Sequence, residues 1–343
     1  MLRRILSAFD PCYNEKNIGI SIPAKWGQAV RKIERVTVVG LGSLGAAYAS
    51  KLYDLNPDSL SVLAGGERAA RYKTEGIFIN GKRYDFKYKS PEEAGEPADF
   101  ILVAVKAYQL QQAIADMKHQ VGEHTLILSV LNGITSEEEI GKVYGMDKLV
   151  YAASYGLTAN REGNHIRFPS YGNLAFGEAV NEGYSDKVEA IRDLLERAGI
   201  PYNIPVNMLR SLWWKFMVNV GINQCSAVTG GRYRLFQNCQ QAKDLMEAAM
   251  REVILLSEKT GVFLNESDIG QWYEILNRLD PDSRTSMLED IECRRRTEVD
   301  SFAGTVCDLG KKYGVDTTVN LTLYQAIKAI EAGVCAQTRE PLI

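Results

Sequence analysis

A lysine and two asparagines recur at every fourth position in Leu212-Trp213-Trp214-Lys215-Phe216-Met217-Val218-Asn219-Val220-Gly221-Ile222-Asn223, and the other nine residues are apolar or glycine. On a helix this spacing puts Lys215, Asn219 and Asn223 in one narrow polar stripe on an otherwise buried rod. Leaving such groups unpaired costs about 1–3 kcal/mol each, and more for a charge. A stripe that lines a cavity holding water or a polar ligand removes that cost. The plainer alternatives are a structural polar network or a lysine reaching the surface; the three-residue stripe favours the cavity. An ammonium there suits one chemistry well. When hydride adds to a ketone, negative charge builds on oxygen, and a positioned ammonium stabilises it and delivers the proton. Apolar surroundings lower an amine's pKa towards neutrality, and a nearby carboxylate opposes that.

A hydride needs a donor, and a second motif points to one. Gly40-Leu41-Gly42-Ser43-Leu44-Gly45 matches G-x-G-x-x-G, a weak signal alone in a chain with 29 glycines. Its context strengthens it, because the β-rich run Arg35–Val39 precedes it and a small-residue helical pattern follows. The first glycine permits the tight turn, the second lets backbone approach a pyrophosphate, and the third lets helix pack on strand. The helix N-terminus then presents unpaired N–H groups to the phosphates. A nicotinamide dinucleotide is the expected cofactor. No acid ends the second strand at Leu63-Ala64-Gly65-Gly66, while Arg68 and Arg71 lie just beyond it. Those arginines favour NADP(H); Glu67 points mildly to NAD(H).

The elements that must position these residues divide in two. Strand candidates are Ser59–Leu63, a hairpin over Ile77–Phe86 turning at Asn80-Gly81, Asp99–Val105, Thr125–Leu131, Leu149–Ser154, His165–Phe168, Asn173–Phe176 and Tyr202–Ile204. The runs Asp99–Val105 and Thr125–Leu131 are almost wholly apolar, as in strands covered on both faces, and Tyr108–Met117 between them has helical spacing. Strand and helix alternate, so the first half reads as a doubly wound α/β sheet. Beyond about residue 206 helical patterns dominate. The expected organisation is an extension over residues 1–34, a dinucleotide-binding domain over 35–206 and a helical catalytic domain over 207–343.

Composition excludes several classes. Of 343 residues 45% are hydrophobic and 24% charged, which is a globular balance, and the net charge of −3 argues against nucleic-acid binding. No stretch reaches membrane length. The histidines His119, His124 and His165 lack metal-ligand spacing, so no metal is expected. Six scattered cysteines without a C-x-x-C pair suit reduced thiols in the cytoplasm. The apolar helices expected over Leu245–Leu256 and Thr317–Ile330 read as partly core and partly the surface of a homodimer.

Lys215-(x)3-Asn219-(x)3-Asn223 after an N-terminal glycine turn resembles the ketopantoate reductases. Ser286-Met287-Leu288-Glu289-Asp290 followed by Arg296-Thr297-Glu298-Val299-Asp300 is similar to that family's second signature, and Val105-Lys106 and Leu131-Asn132-Gly133 to two more motifs. The resemblance runs from about Arg35 to Ile330. It implies a Rossmann domain, a helical domain similar to that of 6-phosphogluconate dehydrogenases, and NADPH-dependent reduction of 2-dehydropantoate to pantoate, a step of pantothenate and coenzyme A biosynthesis. By matching motif, Lys215 would be the general acid and Glu298 the carboxylate beside it. Asn219, Asn223 and Ser286 would bind substrate; Lys106 and Asn132 would edge the cofactor cleft.

Four positions depart from the family pattern. Gly65 stands where many members have arginine, leaving a 2′-phosphate to Arg68. Ser283 and Tyr233 stand where asparagines are often found, and Gln224 replaces the usual proline after Asn223. Such changes fit a reductase of a different 2-oxo acid as well as a ketopantoate reductase. A nucleotide-binding protein that has lost catalysis is a further alternative, opposed by the retention of Lys215 and Glu298; a Rossmann methyltransferase fits neither the stripe nor the helical second half. Because the glycine turn and Lys215 fall in different domains, closure over the substrate is expected. Ser286 and Glu298 would be about 18 Å apart on one straight helix, so a break is expected between Asp290 and Arg296.

Overall fold

In the computed structural model the described residues are 31–157 and 159–338; most of the expected 1–34 extension lies outside them. The described chain forms two compact units that divide between Leu209 and Arg210.

The first unit is built on an eight-stranded sheet. Its strands are β1 (Val36–Val39), β2 (Leu60–Leu63), β5 (Lys87–Lys89), β6 (Phe100–Val103), β7 (Leu126–Ser129), β8 (Leu149–Tyr155), β11 (Asn173–Gly177) and β12 (Tyr202–Asn203), in the order β12-β11-β8-β7-β6-β1-β2-β5. Every neighbouring pair runs parallel except β8 with β11. Side chains alternate between the faces, as strand geometry requires. Val38, Leu102 and Leu128 belong to one apolar cluster, whereas Val39, Ile101, Val103 and Ile127 belong to another. Helices α1 (Ser43–Leu55), α2 (Gly66–Glu75), α3 (Leu110–Asp116), α4 (Ser136–Tyr144) and α5 (Asp186–Ala198) connect the strands.

Small residues let α1 lie close to the sheet: Gly45, Ala46, Ala47, Ala49 and Ser50 are all buried. Tyr48 on the same helix donates from its hydroxyl to Ser154 Oγ at 2.8 Å, tying α1 to β8. A second sheet holds β3 (Ile77–Ile79), β4 (Lys82–Tyr84), β9 (Asn160–Glu162) and β10 (His165–Arg167), ordered β4-β3-β10-β9. The hairpin expected at Asn80-Gly81 is there, with both residues at positive φ (49° and 85°). The chain leaves the sheet at Ala104, earlier than the apolar run to Val105 suggests, and β5 and β9 carry no clear apolar pattern.

The second unit is helical. It contains α6 (Met208–Thr229) from Arg210 onward, α7 (Tyr233–Asn238), α8 (Gln240–Lys259), α9 (Glu266–Leu276), α10 (Ser286–Glu292), α11 (Ala303–Tyr313) and α12 (Thr318–Thr338). Helix α8 is central and packs against α7, α9, α11 and α12. The N-terminal end of α6 is anchored on Asp268 of α9. Arg210 donates to both carboxylate oxygens at 3.0 and 2.9 Å, and Trp214 Nε1 donates to the Asp268 carbonyl at 3.3 Å. No described helix is long and apolar enough to cross a membrane, and no described group of three or more His, Cys, Asp and Glu side chains is placed to hold a metal.

Candidate active site

In the first unit the candidate residues gather at the carboxyl ends of adjacent parallel strands. From β1 the chain proceeds to β2 on one side, and later to β6 on the other, so the crevice between β1 and β6 is a topological switch point, where open α/β sheets bind ligands. Gly40 to Gly45 follow β1, Lys106 follows β6 by three residues, and Asn132 follows β7 by three residues. Strand register aligns Val39 with Val103, and Val103 with Ser129, so these three sites stand side by side. Arg68 is exposed in the first turn of α2, beyond β2.

The three glycines of the turn have separate causes. Gly40 has φ +97°, and a Cβ there would lie 2.7 Å from the Ala104 carbonyl oxygen. At Gly45 a Cβ would overlap the Gly40 carbonyl oxygen, so the helix reaches the strand only without a side chain. Gly42 differs. Its φ is −68°, and a Cβ would meet only the Ala104 carbonyl oxygen at 3.8 Å, an ordinary contact. The fold alone does not demand glycine at 42. Gly42 is the N-cap of α1, which has no side-chain cap and no acid in its first turn. The N–H groups there lack intrahelical acceptors, and the positive end of the helix dipole faces the same space. The residues therefore fit a dinucleotide's pyrophosphate, and the missing Cβ leaves the room it needs. Gly42→Ala is expected to keep the wild-type melting temperature while weakening cofactor binding about tenfold or more, since the methyl group occupies the phosphate's approach. Differential scanning fluorimetry and fluorescence titration with NADPH check this pair of outcomes.

Arg161, on β9, was not legible in sequence. Its Nη1 donates to the Leu41 carbonyl of the glycine turn, and its Nε donates to the Gly163 carbonyl at 2.9 Å. A strand with no apolar alternation, 120 residues downstream, thus brings a guanidinium to the turn. Gly65 also has a physical cause. A Cβ there would lie 2.9 Å from Pro91 Cδ, so the loop after β5 takes the space that a larger residue at 65 would need.

In the second unit the polar stripe lies on α6. From Ser211 to Ala227 every residue is buried except Lys215 and Asn219, which are half-buried. Asn223 is 6% exposed and donates from Nδ2 to Asn219 Oδ1 at 3.2 Å. The three side chains therefore share the one face of α6 that is partly open.

The break expected between Asp290 and Arg296 is present. Helix α10 ends at Glu292, Arg294 takes φ +55°, and the Arg295 N–H donates to the Asp290 carbonyl at 2.7 Å. Arg295 also folds back through Nε to Asp290 Oδ1 at 2.8 Å. Ser286 is exposed in the first turn of α10, whereas Glu298 is 6% exposed just before a 3-10 turn over Val299–Ser301. Three side chains of α12 hold the Glu298 segment. Glu331 accepts from the Thr297 N–H at 2.8 Å and from its hydroxyl at 2.7 Å. Asp300 accepts from Tyr324 at 2.9 Å and Lys328 at 3.4 Å, and from Arg296 within its own segment at 3.1 Å. Burial alone would raise the Asp300 carboxyl, but the Arg296 and Tyr324 hydrogen bonds and the Lys328 charge hold it below its ordinary value. The segment also meets α6, because the Phe216 and Phe302 rings lie 6.5 Å apart. The neighbours of Lys215 and the chain just beyond Glu298 are therefore in one apolar contact.

Two of the departing positions are themselves neighbours, since the Tyr233 N–H donates to the Ser283 carbonyl at 3.2 Å. Burial pushes the Tyr233 phenol up to about 12.

Comparison with known proteins agrees with this architecture. Residues 36–181 match the family described as ketopantoate reductase PanE/ApbA, and residues 207–331 match its C-terminal domain. The chain is 26% identical over 305 residues to a 2-dehydropantoate 2-reductase of Aquifex aeolicus (strain VF5), covering 87% of this chain and 97% of that one. Among solved structures it resembles D-mandelate dehydrogenase with NADH and anilino(oxo)acetate, at a TM-score of 0.79 and 22% identity over 88% of this chain and 99% of that one. It also resembles a dimeric ketopantoate reductase from Staphylococcus aureus, at a TM-score of 0.74 and 20% identity, again over 88% and 99%. With both family domains matched in order across most of its length, the chain belongs to the ketopantoate reductase PanE/ApbA family of nicotinamide-dependent oxidoreductases.

Proposed function

We propose that the protein reduces a small 2-oxo acid to the 2-hydroxy acid with NADPH, and that 2-dehydropantoate, giving pantoate for coenzyme A biosynthesis, is the first substrate to test. The observation that carries the reading is the single half-open face of α6, formed by Lys215 and Asn219 on a helix otherwise buried from Ser211 to Ala227. A bound dihydronicotinamide supplies the hydride that forms the new C–H bond at C2. Lys215 Nζ protonates the carbonyl oxygen as the C=O bond becomes C–O, and the products are the 2-hydroxy acid and the oxidised cofactor. Glu298 orients the ammonium and the substrate hydroxyl. Asn219 and Asn223 bind the polar groups of the substrate, and Ser286 its carboxylate. Gly40 to Gly45 hold the pyrophosphate, Lys106 and Asn132 border the nicotinamide side, and Arg68 meets the 2′-phosphate.

A second reading, reduction of a different 2-oxo acid, is favoured by the contact between Tyr233 and Ser283. Their backbone hydrogen bond brings two departures from asparagine to one place in the chain. The D-mandelate dehydrogenase on this fold holds NADH and anilino(oxo)acetate. The experiment is a panel of 2-oxo acids graded by side-chain size, each assayed with NADPH and with NADH. Highest kcat/KM for 2-dehydropantoate with NADPH supports the first reading; a bulkier acid, or NADH, supports the second. Restoring asparagine at both sites (Tyr233→Asn with Ser283→Asn) is expected to shift kcat/KM towards 2-dehydropantoate by about 10–200-fold, the range that small pocket changes produce.

We also propose a homodimer, supported by the dimeric Staphylococcus aureus relative and by exposed Leu255 on α8 and Leu321 on α12. Sedimentation equilibrium gives its mass directly.

A further inference from the structure

Helix α6 poses a problem of orientation. Between Ser211 and Ala227 it is covered almost all round. Hydrophobic burial is non-directional, so a rod that is apolar on most sides gains little by facing one way rather than another. Yet chemistry at Lys215 requires one rotation only. At its N-terminal end, Arg210 and Trp214 hold α6 to Asp268. Its other end needs an equivalent.

Gln224 is fully buried and all its hydrogen-bonding groups are engaged. Nε2 donates to Asn320 Oδ1 at 2.9 Å and to the Val220 carbonyl at 2.7 Å, while Oε1 accepts from the Ala303 N–H at 3.0 Å. Asn320 is fixed in turn. Its Nδ2 donates to Glu252 at 2.6 Å and to the Ala249 carbonyl at 3.1 Å, and Glu252 also accepts from the N–H groups of Val319 and Asn320 at 2.8 and 2.9 Å. The network thus joins α6 to α8, α12 and the first residue of α11. Gln224 lies nine residues beyond Lys215, which at 3.6 residues per turn is about 180° around the helix. It therefore tethers α6 on the side opposite Lys215, about 140° from Asn219 and about 100° from Asn223. Its partner Ala303 lies five residues past Glu298, on the segment held by Glu331 and Asp300.

We infer that Gln224 is a positioning residue, which fixes the rotation of α6 so that Lys215 and Asn219 face the substrate and keeps that helix in register with the segment carrying Glu298. It touches neither substrate nor cofactor. The inference rests on the reading of Lys215 as the acid. A side chain making directional bonds to two elements specifies what an apolar one of equal size cannot, as a single polar residue does in fixing helix register elsewhere.

The test is Gln224→Met, which keeps length and apolar packing but loses the bonds. Expected is a fall in kcat of at least about tenfold with NADPH affinity unchanged, far-UV circular dichroism retained, and an altered near-UV signal from Trp213 and Trp214 beside Lys215. Exchange of the Ala303 amide should also accelerate. Should Gln224→Met fail to fold, Asn320→Ala removes one partner without touching α6 and is expected to act in the same direction. Unchanged kcat and near-UV signal in a folded variant would overturn the inference, as would a loss of activity that disappears at a temperature restoring full stability. If the wild-type protein reduces no 2-oxo acid, the reading of Lys215 fails, and the near-UV signal and Ala303 exchange still decide whether Gln224 sets the rotation.

Discussion

Lys215→Ala is expected to lower kcat by about 10²–10⁴-fold, the range that a positioned proton donor contributes, while leaving cofactor affinity unchanged. The size follows from the reaction. Hydride arrival leaves a full negative charge on oxygen, and without the ammonium that charge has neither a counter-charge nor a proton at the moment it forms. The location follows from α6, where position 215 is one of two that are not buried in a run of seventeen residues. Cofactor affinity is spared because Gly40 to Gly45 belong to the other compact unit. Steady-state kinetics with NADPH and the best 2-oxo acid, alongside a fluorescence titration of the cofactor, measure both parts. A variant that lost cofactor binding and turnover together would show damage to the fold and not the loss of an acid.

Gly45→Ala is expected to destroy cofactor binding and to lower stability by about 1–3 kcal/mol, the usual cost of overpacking. The added methyl group meets a backbone oxygen, that of Gly40, and backbone cannot swing aside as a side chain does. Helix α1 must therefore move off the sheet, loosening the contacts of Ala46, Ala47 and Ala49 and carrying its N-terminus away from the phosphates. Gly42→Ala provides the contrast, because position 42 has room for a methyl group and none for a methyl group with a ligand. Melting temperature separates the two variants: it falls for Gly45→Ala and holds for Gly42→Ala. A fall in both would mean that the whole turn is a packing device.

What could be read in the sequence was what a short window contains. The glycine turn, the i, i+4, i+8 stripe and the Asn80-Gly81 hairpin are local patterns with local causes, and each is in the structure. The break after Glu292 followed from a length argument, since one straight helix cannot bring Ser286 and Glu298 to one small molecule. What escaped were contacts between distant residues. Arg161 reaches the glycine turn from a three-residue edge strand without apolar alternation, and Glu331 holds Thr297 from 34 residues away. The antiparallel pairing of β8 with β11 was likewise hidden, because a buried strand has the same apolar content in either direction. Gln224 stood out in sequence as a departure from the family pattern. Only its bonds to Ala303 and Asn320 give it a physical role.

If this chain moves a hydride from a nicotinamide to the carbonyl carbon of a small 2-oxo acid, the hydride can be followed. The most direct measurement is a single turnover of excess enzyme with 2-dehydropantoate and NADPH deuterated at C4, using the 4R and 4S labels in separate reactions. One label, and only one, is expected at C2 of a 2-hydroxy acid product, with the other retained in the oxidised cofactor. Tight binding of both labelled cofactors with no deuterium in any product, for 2-dehydropantoate and for the bulkier 2-oxo acids alike, would contradict it and leave a nucleotide-binding protein without this chemistry.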